Sequence, residues 1–461
     1  MRVLMINTNQ MMLPYPVVPI GVCQVSAAVV AAGHDVEMLD LCFSRRPESD
    51  VRKAVQRLAP DVVGLSVRNL DNASPDSFQT YLTGLKLLVA VIRDCSSARI
   101  VLGGPALGVA PEYVLSSSGA DYAVAGEGET AFPMLLAGIS MGQEIGPVVR
   151  SACAEEHIRE FGFPAAEYTK LELKRYRSFG SPAPIQTKRG CRFKCVYCTY
   201  PDIEGAEYRT KSPEAVVDEV RRAESMRIFD SAEFVDSTFN LPYDHGLAVC
   251  EALERSGNRF PLTATSINPL GGSSAMFEAM TRAGFCGCTV SLESASDDVL
   301  ERLNKGYTAD DVAETVVAAR RTRMAVMWVF MLGGPGETGN TVAQTFDFIQ
   351  RHIGNNGLIF ISCGLRVYPG TELARIAVEE GVIDSSQDLL GPAFYVSPKL
   401  GRTRLMQLIS HADLPSGTVF LSDMEWQILP VLHRAGSLLH LTPPYWRHAR
   451  PLMQLKRMFR L

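Results

Sequence analysis

Cys191, Cys195 and Cys198 fall within one short segment, Lys-Arg-Gly-Cys-Arg-Phe-Lys-Cys-Val-Tyr-Cys-Thr-Tyr, with the spacing C-x3-C-x2-C. Thiolates are soft ligands suited to iron–sulfur clusters, and a four-iron cluster normally takes four of them. Three local cysteines leave one iron without a protein ligand, and an open iron can bind and activate a small molecule. A structural zinc site is the competing reading, and it needs a fourth Cys or His at matching spacing. No second C-x2-C follows, and His157 and His245 lie far off in sequence. The remaining cysteines, Cys23, Cys42, Cys95, Cys153, Cys250, Cys286, Cys288 and Cys363, are scattered and read as small core residues. Cys286-Gly-Cys288 is the only other close pair.

The chain around this segment must position it. Its 461 residues imply two or three domains, and 46% hydrophobic with 21% charged residues describes a globular protein. A net charge of −5 gives no general attraction to nucleic acid. Met1 runs directly into a strand pattern without a signal peptide, and no apolar run has membrane-spanning length, so a cytoplasmic, membrane-free protein is expected. Free cysteines agree with a reducing compartment.

Residues 1–140 alternate apolar runs with helical patterns. Strands are expected at Val3–Ile6, Val36–Leu39, Val62–Ser66, Ile100–Leu102 and Tyr122–Val124, and helices around Ile20–Ala32, Asp50–Leu58, Ser77–Arg93 and Pro111–Ser117. Continuous apolar strands alternating with helices imply a doubly wound, Rossmann-like parallel sheet, whose ligands bind beyond the strands' carboxyl ends. The loops there carry Asn7, Ser66, Arg68, Asn69, Gly103, Gly104, Gly126 and Glu127. Their glycines let a large flat ligand approach the backbone. A dinucleotide fingerprint is missing from the first turn.

Residues 141–184 lose periodicity and read as a linker punctuated by Pro147, Pro164, Pro182 and Pro184. Residues 185–385 resume the alternation. Strands are expected at Ile185–Lys188, Ala232–Val235, Leu262–Ser266, Cys288–Ser291, Met327–Met331 and Ile359–Leu365, with helices between them. Six units make a partial barrel with chemistry at the carboxyl ends of its strands, and the cysteine loop follows the first strand. Residues 386–461 form a small, mainly helical tail expected to lie across the open side of the barrel. Its end, 442–461, holds five Lys/Arg and no acid, and reads as a solvated helix face.

The cysteine spacing, with aromatic Tyr197 before the third cysteine, resembles the signature of the radical S-adenosylmethionine (radical SAM) superfamily. Ile20-Gly21, Gly33-His-Asp-Val36, Gly103-Gly-Pro105 and Gly126-Glu-Gly-Glu129 resemble the cobalamin-binding-type domain that precedes many members. The resemblance implies a [4Fe–4S] cluster and SAM as cofactors, and allows cobalamin without requiring it. The D-x-H-x-x-G motif that donates an axial histidine is absent, and His34 reads as a turn residue. It further implies SAM contacts from Tyr197, Asp236, Ser237, Ser266, Glu293, Ser294, Phe330, Leu332 and Arg366, with Arg366 and Tyr368 facing the cavity. Taken singly, Glu293 could be a helix N-terminal acid, Gly333-Gly-Pro-Gly336 a plain turn and Arg366 a surface ion-pair residue.

Within that class the layout is similar to radical SAM diol dehydratases of aminoglycoside biosynthesis. The expected activity is therefore radical dehydration of an amino-sugar diol, with a separate NADPH-dependent reductase completing deoxygenation. Cobalamin-dependent methyl transfer to carbon is the alternative enzyme reading, and a cobalamin or iron–sulfur sensor the non-enzymatic one. The partners implied are a small-molecule substrate and an electron donor such as flavodoxin or ferredoxin. No residue suggests itself as the general base.

Overall fold

The computed structural model describes residues 1–151, 165–355, 357–415, 418–420 and 428–449. Cys153, His157, Pro164 and the basic end from 450 onward lie outside the described residues. The first sheet contains β1 (Arg2–Asn7), β2 (Asp35–Asp40), β3 (Val62–Ser66), β4 (Arg99–Gly103), β5 (Tyr122–Ala125) and β6 (Val148–Arg150), in the order β2-β1-β3-β4-β5-β6 and parallel throughout. Val3, Leu4 and Ile6 are fully buried, as a strand covered on both faces requires. The order reverses at β1, between β2 and β3. A crevice therefore opens beyond the carboxyl ends of β1 and β3. Helix Gly128–Ser140, with Pro133 inside it, covers this sheet and was not expected from periodicity. Strand β6 lies within the stretch read as linker.

The second sheet runs from β7 (Ala183–Ile185) through β10 (Ala232–Phe234), β11 (Leu262–Ile267), β12 (Phe285–Glu293), β13 (Ala325–Leu332) and β14 (Leu358–Cys363), all parallel. A short hairpin, β8 (Lys188–Arg189) with β9 (Arg209–Thr210), brackets the cysteine loop. The two residues of β15 (Leu365–Arg366) pair with β16 (Phe394–Tyr395). The tail adds β17 (Thr418–Phe420) to the free edge of β14, so the sheet has seven strands where six were expected.

Burial along β13 alternates. Val326, Trp328, Phe330 and Leu332 are buried against the helices, and Ala325, Met327, Val329 and Met331 are half-buried on the concave face. The tail does not simply lie over the opening. Leu429, Leu432, Trp446 and Ala449 pack on Leu358 and Phe360 and on the concave residues Ala325, Met327 and Val329. A Cβ on Gly287 would come within 2.6 Å of Pro444, so the absence of a side chain there lets the tail seat. Among the described residues, no helix is long and apolar enough to cross a membrane.

Candidate active site

The cysteine loop is held from beneath by Asp236, just past β10. Its carboxylate accepts from the Thr187 N–H at 2.8 Å, the Lys188 N–H at 3.2 Å and the Thr187 hydroxyl at 2.8 Å. The Lys188 ammonium lies 3.6 Å from Asp236 and donates to the Phe239 carbonyl at 3.0 Å, with both charged side chains wholly buried. Asp236 is thus committed to the loop backbone and does not offer a free oxygen for SAM, contrary to the expectation. Ser237 donates to the Gly190 carbonyl at 3.0 Å, again a loop contact.

All three cysteines are free, with Cys191 buried and Cys195 and Cys198 half-buried. Burial pushes the Cys198 thiol up to about 12 and also raises Cys195, with neighbouring thiols contributing to both. Three close, partly desolvated sulfurs match the donor preference of an iron–sulfur cluster. Among the described residues no three His, Cys, Asp or Glu side chains converge tightly enough for one metal ion. A cubane makes no such demand, because its corner irons stand apart. Cys286 and Cys288 are raised by burial, as core thiols are, and belong to no metal-holding group.

On the facing wall, Glu293 ends β12 with φ +63°, and Ser266 near the end of β11 has φ +55°. A left-handed non-glycine residue is strained, and two at neighbouring strand ends mark a site the fold over-determines. One Glu293 oxygen accepts from the Tyr197 hydroxyl and the Lys305 ammonium, each at 3.1 Å, while Lys305 also donates to Tyr197 at 3.1 Å. The second Glu293 oxygen is buried with no protein partner. It is oriented and available, as a SAM-contacting carboxylate must be. Lys305 drew no role from the sequence, where Asn304-Lys-Gly306 only follows the fourth-strand segment as its usual sequel. Ser294 is buried and its hydroxyl accepts from the Ser296 N–H at 3.2 Å, which makes it a turn residue. Phe330 and Leu332 point into the helix layer, so only their backbone could meet an adenine.

Beyond β13, Glu337 accepts from the Gly333 and Gly334 amides and leaves its other oxygen buried without a partner. Burial lifts its carboxyl to about 7, against the pull of those amides. A folded-state value above the unfolded one favours the folded protein at low pH, and this is lost as pH rises through about 7. The wild type should therefore lose on the order of 3 kcal/mol between pH 5 and 8 relative to Glu337→Gln, whose amide oxygen still accepts from both N–H groups. Denaturation midpoints of the two proteins at both pH values test this, and parallel pH profiles would refute it.

A cleft of about 1570 Å³, open in part to solvent, separates the two sheets. Of the loop residues expected there, Asn7, Ser66 and Arg68 line it together with Gly103, Gly104, Gly126 and Glu127, and Asn69 does not. Gln186, Arg189, Tyr200 and Glu204 of the cysteine-loop region form the opposite wall. Its glycine-edged floor lets a flat group such as a corrin approach the backbone, and no histidine lines it. Arg366 is not in the cavity. It is buried, pairs with Asp71 at 3.0 Å and donates to the carbonyls of Val367, Ala393 and Leu389. Tyr368 donates to the same Asp71 at 3.4 Å. Both residues lock the barrel to the first domain.

Comparison with known proteins agrees with this architecture. A B12 binding domain model matches residues 12–136 and a Radical SAM superfamily model matches residues 185–349. Residues 12–136 are thus similar to B12-binding domains and residues 185–349 to radical SAM domains. Those two domains imply a [4Fe–4S] cluster, SAM and cobalamin as cofactors. An uncharacterized methyltransferase of Pyrococcus horikoshii is 26% identical over 79% of each chain. Tryptophan 2-C-methyltransferase of Streptomyces laurentii is 24% identical over 82% of this chain and 74% of its own. The structure of the radical SAM methyltransferase TsrM from Kitasatospora setae, with tryptophan and a SAM analogue, superimposes with a TM-score of 0.83 at 21% identity, over 100% of this chain and 99% of that one. The expected diol dehydration is overturned, because these relatives are methyltransferases and none is a dehydratase.

Proposed function

We propose that this protein is a cobalamin-dependent radical SAM methyltransferase acting on a small molecule. The observation that carries the reading is a cleft walled on one side by the glycine loops of the B12-type sheet and on the other by Gln186, Arg189, Tyr200 and Glu204, which flank the cysteine loop. When bound, the cofactors supply the methyl group and the means to activate its acceptor. The chain's own residues hold and orient. Cys191, Cys195 and Cys198 would hold the cluster. Glu293, fixed by Tyr197 and Lys305, would meet SAM, and the loops at Gly103-Gly104 and Gly126 would seat the corrin.

Beyond the tail-covered Met327 and Val329, the concave face of the barrel offers the substrate half-buried Ser291 and Met331, a mixed polar and apolar surface suited to a small organic molecule. Closing that face between two domains and the tail excludes water. Any electron required comes from a small redox protein such as a flavodoxin or ferredoxin. With dehydration removed, the NADPH-dependent reductase has no step to complete.

Anaerobically reconstituted protein, incubated with SAM, reductant and metabolite extract, should form S-adenosylhomocysteine only when cobalamin is supplied. One extract component should become heavier by one methylene. A component lighter by one water, or S-adenosylhomocysteine formation indifferent to cobalamin, would sink the proposal. Neither deoxyadenosine nor S-adenosylhomocysteine under any condition would favour a sensor.

A further inference from the structure

A buried ion network that the proposed reaction does not use runs along the wall of the cleft from one domain to the other. Arg189, two residues before Cys191, lies 2.5 Å from Glu129 and 3.3 Å from Glu127, and donates to the Gln24 side chain at 3.2 Å. Arg209 of the bracketing hairpin pairs with the same Glu127. Both arginines and both glutamates are less than a tenth exposed. On the cluster side, Arg189 also donates to Gln186 at 3.1 Å. Glu204 accepts from Gln186 at 3.1 Å and from the Gly190 N–H at 3.2 Å. One continuous set of charge-assisted bonds therefore joins Gly126-Glu-Gly-Glu129, the corrin-side loop, to the residues that shape the cysteine loop.

A second contact, without charge, makes the same connection. Helix Tyr200–Glu204, which follows Cys198 directly, packs on the 3-10 turn Pro105–Gly108 at the end of the Gly103-Gly104 loop. A Cβ on Gly108 would stand 2.8 Å from the Ile203 side chain and 2.9 Å from its Cα. The backbone there admits no wedge. Buried, hydrogen-bonded charges contribute little net stability, and their best-attested use is to fix one registration of the groups they join.

We propose that Arg189 is a positioning residue that couples the two cofactor sites, so that an assembled cluster loop strengthens corrin binding in the cleft and corrin binding steadies the cluster loop. The inference rests on the reading above that the cleft takes cobalamin. Coupling of this kind is reciprocal and typically amounts to between about 5- and 150-fold in affinity.

The test is equilibrium binding of hydroxocobalamin, followed by absorbance, to full-length protein with and without a reconstituted cluster. Iron is quantified on each sample. In the wild type, the dissociation constant should fall by about tenfold or more when the cluster is present. In Arg189→Gln the ratio should fall below about twofold, because a neutral amide cannot satisfy two glutamates. Arg189→Lys should keep part of it, as a point charge reaching one partner. Gly108→Val should lose the ratio without altering any charge, and it decides the matter if Arg189→Gln fails to take up iron. A wild type that binds hydroxocobalamin equally in both states, or a Gly108→Val protein that keeps the full ratio, overturns the coupling alone. A wild type that binds none in either state overturns the proposed function and the coupling together.

Discussion

Replacing Gly190 with alanine should leave a folded chain that no longer retains its cluster. Gly190 has φ +90°, a conformation that costs an L-residue, and a Cβ there would stand 2.0 Å from the Glu207 carbonyl oxygen and 2.8 Å from its carbon. These are backbone atoms and cannot rotate aside. The neighbouring bonds allow no retreat: the Cys191 N–H donates to the Gly205 carbonyl at 3.0 Å, and Ser237 holds the Gly190 carbonyl. Relief requires the 204–207 segment to move away from Cys191, which displaces a cluster ligand. A displacement on the order of 1 Å can cost about 100-fold in rate. We expect Gly190→Ala to bind less than about a tenth of the wild-type iron and to turn over at least about 100-fold more slowly. Gly84→Ala is the control, since Gly84 has nothing within 4 Å of its Cβ position inside helix Leu82–Cys95. It should keep its iron and gain about 0.5–1 kcal/mol. Iron quantification and thermal melts distinguish the two, and full iron in Gly190→Ala would refute the argument.

What the sequence made legible was whatever repeats or whatever chemistry fixes locally. Apolar runs located β1 through β5 to within a residue or two, because both faces of a parallel sheet are covered. The cysteine spacing singled out one loop for chemistry because thiolate ligation admits few alternatives. Side chains whose role depends on a distant partner were read wrongly. Arg366 meets Asp71, 295 residues earlier, and neither residue announces the other. Asp236 looked like a ligand-facing acid, because nothing nearby in sequence shows that the Thr187 and Lys188 amides reach it. Lys305 and Glu129 drew no role from the sequence, since each acquires one only when another strand end or the cysteine loop is brought against it. The three-residue β17 carries too little periodicity to separate it from a loop.

The reaction was the least legible feature. Dehydration and methyl transfer start from the same cysteine loop and the same strand-end contacts, so motifs cannot divide them. What divides them is whether a second large cofactor shares the cavity with the first. The missing axial-histidine motif left open whether the domain still holds cobalamin. The glycine-edged floor at Gly103-Gly104 and Gly126, facing Arg189 and Tyr200 on either side of the cysteine loop, favours a domain that uses it. A histidine is one way to hold a corrin, and its absence leaves the cleft itself intact.

Asp236→Ala should be the most destabilising single change outside the hydrophobic core. The carboxylate satisfies two loop amides and a hydroxyl, and it is the counter-charge for a lysine with no solvent exposure. Burial already depresses the Lys188 ammonium, with Asp236 the chief opposing influence. Removing the acid leaves a buried cation facing orphaned N–H groups, an arrangement that costs about 3–5 kcal/mol. Asp236→Asn retains an acceptor but not the charge, and should fall between the two. Lys188→Met in the Asp236→Asn background should recover part of the loss, because no unpaired charge then remains. Denaturant midpoints across this set measure the coupling. If Asp236→Ala melts within about 0.5 kcal/mol of the wild type, the carboxylate is not the anchor of the loop, and its oxygens must be available to a ligand after all.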